Sequence, residues 1–510
     1  MTEQPPVGTG PPWSRLDKRM LLVHPVTEVV KFIPVLIGSV ILGTSSGNPA
    51  WSIIPLVLIV GFALTRWFTT TYRVGPTHVE LRTGLVQRRE LSVPRSRIRS
   101  VDIESDLLHR ALGLSVVVIG TGQQADSGEK FKLDSLDARV VPALRTELLA
   151  HTARPAPATP AAGVSEDTAA QALPTAREIG HWRPEWVRYA PLSLTGFAVI
   201  APIVGAAFQY GLGEVVFESD AAQDLGEGTA AAIVLVVLGL FAAIVLVVSL
   251  AACTRYLTTY FGLRVLHNGH TLHLRHGLFT TRQITLDLAR FRGATVNEPL
   301  LLRLSGAAEL EAIMVGENPR QKILPQAPRA AIERTLGELL APGATAAPAG
   351  EPLAPLSARL TRHGPAARRR RYFRALSPVV LLTFAVLAFA LEGPIPPWWW
   401  LVPGVTAIVA IALAEDRYRG LGHTVLPRTS TSPAWLITRS GCLDRDRDCL
   451  EAPGVIGWTV RQSFWQRRAG LATVIAATAA GKKRYLVIDV PLDQAWPLVE
   501  SVTPGALGSH

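Results

Sequence analysis

One block recurs three times in this chain, and each time it follows a pair of apolar segments. Its first copy runs from Arg82 to Gly122. It has a turn at Arg82-Thr83-Gly84-Leu85, then Ile98-Arg99-Ser100-Val101, then Leu107-Leu108-His109-Arg110-Ala111-Leu112-Gly113-Leu114, and an apolar run over 115–120. The second copy has Arg275-His276-Gly277-Leu278 and Arg303-Leu304-Ser305-Gly306. The third has Arg439-Ser440-Gly441-Cys442 and Arg468-Ala469-Gly470-Leu471. The paired glycines (84 and 113, 277 and 306, 441 and 470) stand 29 residues apart in every copy. A fixed internal period means one structural unit used repeatedly.

The apolar segments span 29–44 and 50–68, 189–210 and 229–252, and 376–391 and 398–414. About 20 residues of helix cross a bilayer core, so the middle pair is long enough, and the outer pairs are short. Lys31 interrupts the first segment. Trp51, Trp67 and Trp398-Trp399-Trp400 stand where aromatic side chains anchor at a membrane interface. Only 18% of residues are charged and the mean hydropathy is +0.26. The net charge of +11 then suits an anionic membrane surface better than nucleic acid, because the basic clusters sit beside spans and not among stacking aromatics. No cleavable signal peptide is evident, so the first apolar segment is expected to stay as an anchor. Cys253, Cys442 and Cys449 form no disulfide framework or paired metal spacing, and packing is their expected role.

Between the spans the pattern changes to short alternating runs rich in Val, Thr and turn residues, each ending in a helical stretch. Val79, Leu81 and Leu85-Val86 suggest a hairpin about Thr83-Gly84. Asp137 is a possible N-cap for a helix over 137–149, and further helices are expected over 327–340 and 493–502. The expected organisation is a mobile tail over 1–25, an apolar hairpin over 26–68 and a β-rich domain over 69–150. An Ala/Pro linker covers 151–180. A second hairpin (181–254) and domain (255–340) follow, then an Ala/Pro and basic linker (341–370). A third hairpin (371–415), a third domain (416–502) and a tail (503–510) complete the chain. Arg15, Lys18, Arg66, Arg73, Arg183, Arg188, Arg255, Arg264, Arg368–Arg371, Arg417 and Arg419 all flank the domain side of the spans. By the positive-inside rule, both termini and all three domains are expected in the cytoplasm.

The blocks Ile98-Arg99-Ser100-Val101, Leu107–Val118 and Thr121-Gly122, and again Trp465–Val474 with Thr478, resemble the bacterial pleckstrin-homology-like (PH-like) domain of the second type. A span pair followed by such a domain, three times over, resembles the YdbT-like membrane proteins. The second copy keeps Arg303 and Gly306, but Ala307-Ala308-Glu309 dilutes the rest. The resemblance implies an α+β membrane protein. It would have three transmembrane helical hairpins, each followed by a small cytoplasmic β-barrel or bent sandwich capped by a C-terminal helix. It also implies no enzyme activity and no cofactor, and a smaller single-repeat membrane protein of the same family as partner.

Several clusters have the residue types of a site. His267, His270, His273 and His276 surround Asn268-Gly269, a dipeptide that favours a two-residue hairpin with His267 opposite His270. A spacing of three puts successive side chains on opposite strand faces, so a polar hairpin is expected and no metal site. Asp444, Asp446 and Asp448 would share a strand face. Without the glycine and glutamate of a calcium loop they read as a charged edge strand. Gly120-Thr121-Gly122 lacks the Lys-Ser/Thr of a phosphate loop. No catalytic set stands out. Arg88, Arg89, Arg95, Arg97 and Arg99, with Arg368, Arg369, Arg370 and Arg371, are candidate contacts to a membrane surface or lipid headgroup, each worth on the order of 1 kcal/mol near an anionic leaflet. The glycines read as turn positions (84, 277, 441) and strand starts (113, 306, 470). The function expected is a membrane scaffold or interaction platform in the cell envelope, with a role in resistance to membrane-active agents. The alternatives are a lipid-headgroup module and a transporter. The four clearer spans lack the polar residues of a transport pathway.

Overall fold

The computed structural model describes residues 13–48, 50–84, 88–98, 100–120, 131–149, 177–193, 205, 209, 230–316, 319–340, 355–429 and 432–505. It divides into two units. Unit 1 joins Met1–Arg177 to Phe261–Ala289, and unit 2 joins Glu178–Tyr260 to Arg290–His510.

Unit 1 opens with β1 (Ser14–Arg15), α1 (Met20–Lys31), α2 (Ile33–Ser46) and α3 (Ala50–Thr69). The expected span over 29–44 is cut at Phe32, because Pro34 suits the first turn of a helix and cannot continue one. Gly47, at φ 67, closes α2 in the left-handed cap that favours glycine. The stretch expected as a mobile tail is docked from Trp13 onward. β1 pairs with β2 (Thr71–Val74). Leu16 and Met20, one helical turn apart in sequence, are buried in the strand core. The guanidinium of Arg82 lies 3.8 Å from the Trp13 ring centroid, a favourable cation–π contact. The Pro/Gly-rich start hid these packing residues.

β2 continues into β3 (His78–Thr83) and β4 (Arg89–Pro94), giving a sheet of order β1-β2-β3-β4. Thr83 faces Arg89, so the loop is longer than the expected hairpin; Leu85 and Val86 lie outside the described residues. A 3-10 turn (Arg95–Arg97) leads to β5 (Ser100–Ser105), α4 (Leu107–Ala111), β6 (Leu114–Gly120), β7 (Phe131–Asp137) and α5 (Val141–Leu149). Val79, Leu81 and Val93 from the first sheet pack against Val101, Val117, Ile119 and Leu133 from the second, with Leu148 of α5 over the same core. This is a small sandwich closed by a helix. Asp137 accepts from Arg139 N at 2.9 Å, and the helix itself begins at Val141, later than expected.

β8 (Arg177–His181) straddles the division between the units. The chain re-enters unit 1 through β9 (Arg264–His267), β10 (Thr271–His276) and β11 (Thr281–Asp287). These strands continue the first copy's second sheet, because β11 lies antiparallel on β5 with Thr281 facing Ser105. A single domain over 255–340 was expected. Within that stretch β9–β11 hydrogen-bond into the sheet of β5–β7, and the strands over 291–328 into the sheet of those over 422–451.

Unit 2 holds a 3-10 segment (Pro184–Ser193), α6 (Ala230–Tyr260), β12 (Phe291–Pro299), α7 (Leu300–Leu304), β13 (Ala307–Met314), β14 (Arg320–Pro328) and α8 (Arg329–Leu340). The Thr335 hydroxyl of α8 ties down Ile179 O of β8 at 3.0 Å. The long helices α9 (Gly364–Glu392) and α10 (Leu401–Arg419) follow, joined by a 3-10 turn at Pro397–Trp400. Then come β15 (Gly422–Leu426), β16 (Trp435–Gly441), β17 (Asp444–Glu451), β18 (Val455–Arg461), α11 (Phe464–Arg468), β19 (Leu471–Thr478), β20 (Arg484–Pro491) and α12 (Leu492–Val502). One sheet runs β14-β13-β12-β17-β16-β15 and another β18-β19-β20. Leu436 and Leu450 of the first meet Val474, Val487 and Leu498 of β19, β20 and α12. These two sheets face each other across one core, closed by α12.

Among the described residues, three helices are long and apolar enough to cross a membrane: Phe241–Tyr260, Gly364–Glu392 and Pro397–Arg419. Leu381, Phe384 and Leu391 of α9 and Leu401 and Ile408 of α10 are exposed, as lipid-facing side chains would be. The segment 50–68 falls in α3. The segment 189–210 starts in the 3-10 segment and then leaves the described residues.

Candidate functional site

The side chains that converge lie where one copy's sheet runs into the next. An edge strand carries a row of unpaired N–H and C=O groups and needs a cover or a partner. In unit 1 the edge of β5 is taken by β11, and Arg282 pairs with Glu104 across it at 3.4 Å. Arg110, in the short α4, donates to Leu278 O at 2.8 Å and to the Thr281 hydroxyl at 3.2 Å. Arg145 of α5 bonds the Thr285 hydroxyl. His273 sits between the Thr271 and Thr285 hydroxyls at 3.1 and 3.0 Å. Burial and the nearby Arg145 charge push the His273 pKa down, which keeps the ring neutral. The turn is shifted one residue from the expected Asn268-Gly269: Asn268 N bonds Thr271 O at 2.9 Å and His267 faces Leu272, so Gly269-His270 fill the turn and His267 is not opposite His270. Gly269, at φ 66, takes the first turn position, where the left-handed backbone favours glycine. Among the described residues, no group of three or more His, Cys, Asp or Glu could hold a metal.

In unit 2 the ladder is longer. β12 pairs with β17 from Gly293↔Leu450 to Pro299↔Asp444. The strand expected at an edge is therefore interior, since β17 lies between β12 and β16. Its charges are held by partners, with Asp444 alone among its aspartates exposed. Thr295 donates to Asp448 at 2.6 Å, and Asn297 donates to Asp444 and Asp446 at 3.0 and 2.9 Å. The buried Arg447 donates to Pro355 O and Leu356 O at 2.8 and 2.5 Å. Arg303, at the position of Arg110, reaches Cys442 O at 3.5 Å and Asp416 at 2.9 Å, where Arg445 also binds.

The third polar group ties α9 to the last sheet. Asp489, on β20 and fully buried, receives Arg370, Arg371 (2.8 Å) and the Gln466 amide (2.8 Å). Beside it the His363 and His423 rings are bonded at 2.9 Å, and His363 Nδ1 meets Ile488 O at 2.7 Å. Burial pushes His423 down to about 4 and lowers His363 as well. Both rings are then neutral, with His363 donating to the carbonyl and accepting from His423.

Asp448 is displaced in the opposite sense: burial pushes its carboxyl up to about 6, against the attraction of Lys482. An acid whose folded pKa is raised holds its proton more tightly when folded. Stability is then highest below the ordinary carboxylate value and falls as pH rises from about 4 to about 6. Asp448→Asn keeps an acceptor for Thr295. It should raise stability at pH 7.5 by roughly 1–3 kcal/mol and flatten that pH dependence, as read by denaturation in detergent from pH 4 to 8. A loss of stability at pH 7.5 counts against the assignment.

The expected arginine surface is split. Arg88, Arg89 and Arg97 are exposed and Arg99 lies outside the described residues. Arg95 is buried and clamps Gly75 O and Glu147 O at 3.3 and 2.6 Å. Arg368–Arg371 lie on α9 and not in a linker. Arg368 pairs with Glu415 at 3.1 Å and the next two but one turn inward to Asp489, leaving Arg369 exposed. The six motif glycines all have positive φ, from 64 to 116. Gly84, Gly277 and Gly441 are in turns, and Gly113, Gly306 and Gly470 immediately precede strands, as expected. The sequence reading missed Arg110 and Arg303 as bridging groups. Their shared place, three residues before the second motif glycine, was the available signal. Asp489 had none, because the arginines that pair with it lie over a hundred residues away.

A model of the bacterial PH domain family matches residues 26–152 and 199–340. Those stretches include the second copy, whose motif is the more dilute, and stop short of the third. No curated protein and no solved structure matches the chain.

Proposed function

The chain belongs to the bacterial PH domain family, and from that premise we propose that it is a non-enzymatic membrane scaffold with three PH-like repeats. The observation that carries this reading is the strand junction. β5–β11 and β12–β17 join successive copies by backbone hydrogen bonds, which makes a firm platform where flexible linkers alone would leave separate modules. The third repeat is included because β15–β20 and α12 follow the element order of the first. The arginines at the helix bases favour a cytoplasmic location for the sheets, and the apolar segments that precede each repeat in the sequence supply the anchor. The side chains at the junctions are consumed in holding strands together, which suits a surface for binding proteins better than a pocket for a lipid headgroup.

The test has two arms. Arg97→Cys and Arg428→Cys, both at exposed positions, should react with a membrane-impermeant maleimide in inverted membrane vesicles and not in intact spheroplasts. The opposite labelling overturns the sidedness. Cross-linking of the full chain in its native membrane should then retain a defined set of proteins at high salt. Recovery of bound anionic lipid alone would favour a headgroup module instead.

A further inference from the structure

The two junctions share one register. The residue four past the turn glycine faces the residue eight before the second motif glycine, as Thr281 faces Ser105 and Arg445 faces Glu298. The next pair inward is Arg282 with Glu104 in unit 1 and Asp446 with Asn297 in unit 2. In both junctions the arginine three before the second glycine crosses to the carbonyl that follows the turn glycine: Arg110 to Leu278 and Arg303 to Cys442.

The same two halves recur once more, in β18 and β4. β18 holds the place of β5 and β12, yet it pairs only with β19 among the described residues. Arg467 holds the place of Arg110 and Arg303, and it is exposed with no partner among the described residues. β4 holds the place of β11 and β17, and among the described residues it pairs only with β3. We propose that β18 of one chain takes β4 of a second copy of this chain as its next strand, a head-to-tail contact built as the two internal junctions are. This rests on the platform reading above, and extends it from repeats within a chain to repeats between chains.

The shared register says what meets. Ile456, 74% exposed, would face Pro94, at the place where Arg292 pairs with Glu451 at 3.6 Å in the internal junction. Arg461 would face Arg89, where the internal junctions have an ion pair or a hydrogen bond. Like charges directly opposite weaken a strand pair. The contact between copies is thus a reversible one, strengthened by salt.

The experiment uses the full chain in its membrane. Arg89→Cys and Arg461→Cys, expressed as two separately tagged chains, should give a mixed dimer with a short thiol cross-linker. A chain carrying both should give a ladder of multimers. Glu104→Cys with Arg282→Cys, at the same register position within one chain, is the positive control, and Thr459→Cys in place of Arg461→Cys is the out-of-register control. Closure of the internal pair without any product between chains overturns the proposal. So does equal cross-linking by the out-of-register pair. Arg461→Glu, which would face Arg89, should tighten self-association in detergent by roughly three- to tenfold. Weakened association assigns β18 to a different partner and also overturns it. Sidedness plays no part in these readouts, so the labelling test above can fail independently.

Discussion

Asp489→Ala should cost on the order of 3–5 kcal/mol and release the base of α9 from the last sheet. The carboxylate is fully buried and collects two guanidinium groups and one amide. Arg370 and Arg371 are themselves mostly buried, with 14% and 5% of their side chains exposed. Without Asp489 two cations remain in a largely buried site. That uncompensated charge dominates the loss, more than the pair energy itself. The Arg371 contact is an ion pair without hydrogen-bond alignment, since its Nη2 and Asp489 Oδ2 lack aligned partners. The Gln466 and Arg370 bonds are the directional ones. Asp489 also has φ +61, where Asn is tolerated better than Ala. Asp489→Asn should therefore lose less than Asp489→Ala, and the double change Asp489→Leu with Arg371→Met should recover part of the loss. Thermal denaturation in detergent and trypsin cleavage after Arg370 and Arg371 give two readouts. An Asp489→Ala protein as stable as the parent would refute the network.

The two motif glycines should respond unequally to alanine, although sequence treats them alike. At Gly277 and Gly441 an added Cβ would overlap the carbonyl oxygen of Thr280 or Asp444, and φ is 116 or 115. Backbone would have to move against a paired strand. Gly441→Ala should cost on the order of 3 kcal/mol and disturb the β16–β17 register on which the β12 junction depends. At Gly306 and Gly470 the added atom meets nothing within 4 Å, and φ is 71 or 64. Only the left-handed backbone is strained, so Gly306→Ala should cost about 1 kcal/mol, and Gly306→Asn less. Chemical denaturation of these three variants checks the order. Equal losses at 306 and 441 would remove the steric argument.

These contrasts show which parts of the structure were legible in the sequence. The repeat period, the turn glycines and the helix-terminated strand pattern follow from local chemistry: φ requirements, alternation and periodicity. The pairing of β11 with β5 and of β17 with β12 does not. Asp444-Arg445-Asp446-Arg447-Asp448 looks like an edge by local rules, because charge on a strand discourages pairing. Thr295, Asn297, Lys482 and two backbone carbonyls of 355 and 356 neutralise that argument, and none of them is near in sequence. Arg368–Arg371 failed as a surface run for the same reason, since the Asp489 that turns two of them inward is on the last strand. Leu16 and Met20 were lost inside a segment whose composition is that of a tail. The side chains that distant segments supply are what the sequence left unread.

The division of the second copy between two units has a consequence for synthesis. Arg110 and its partner Thr281 are 171 residues apart, and Thr295 and Asp448 are 153 apart. At roughly 5–20 residues per second, the edge of β5 is made about 10–35 seconds before the strand that covers it. Two membrane-directed segments must be threaded in that interval. The nascent chain thus carries an open, pairing-competent edge for most of its translation, first on β5 and then on β12. Slower elongation through 177–280 would lengthen the first window and favour pairing between neighbouring nascent chains on one polysome, whereas chaperone occupancy of that edge would close it.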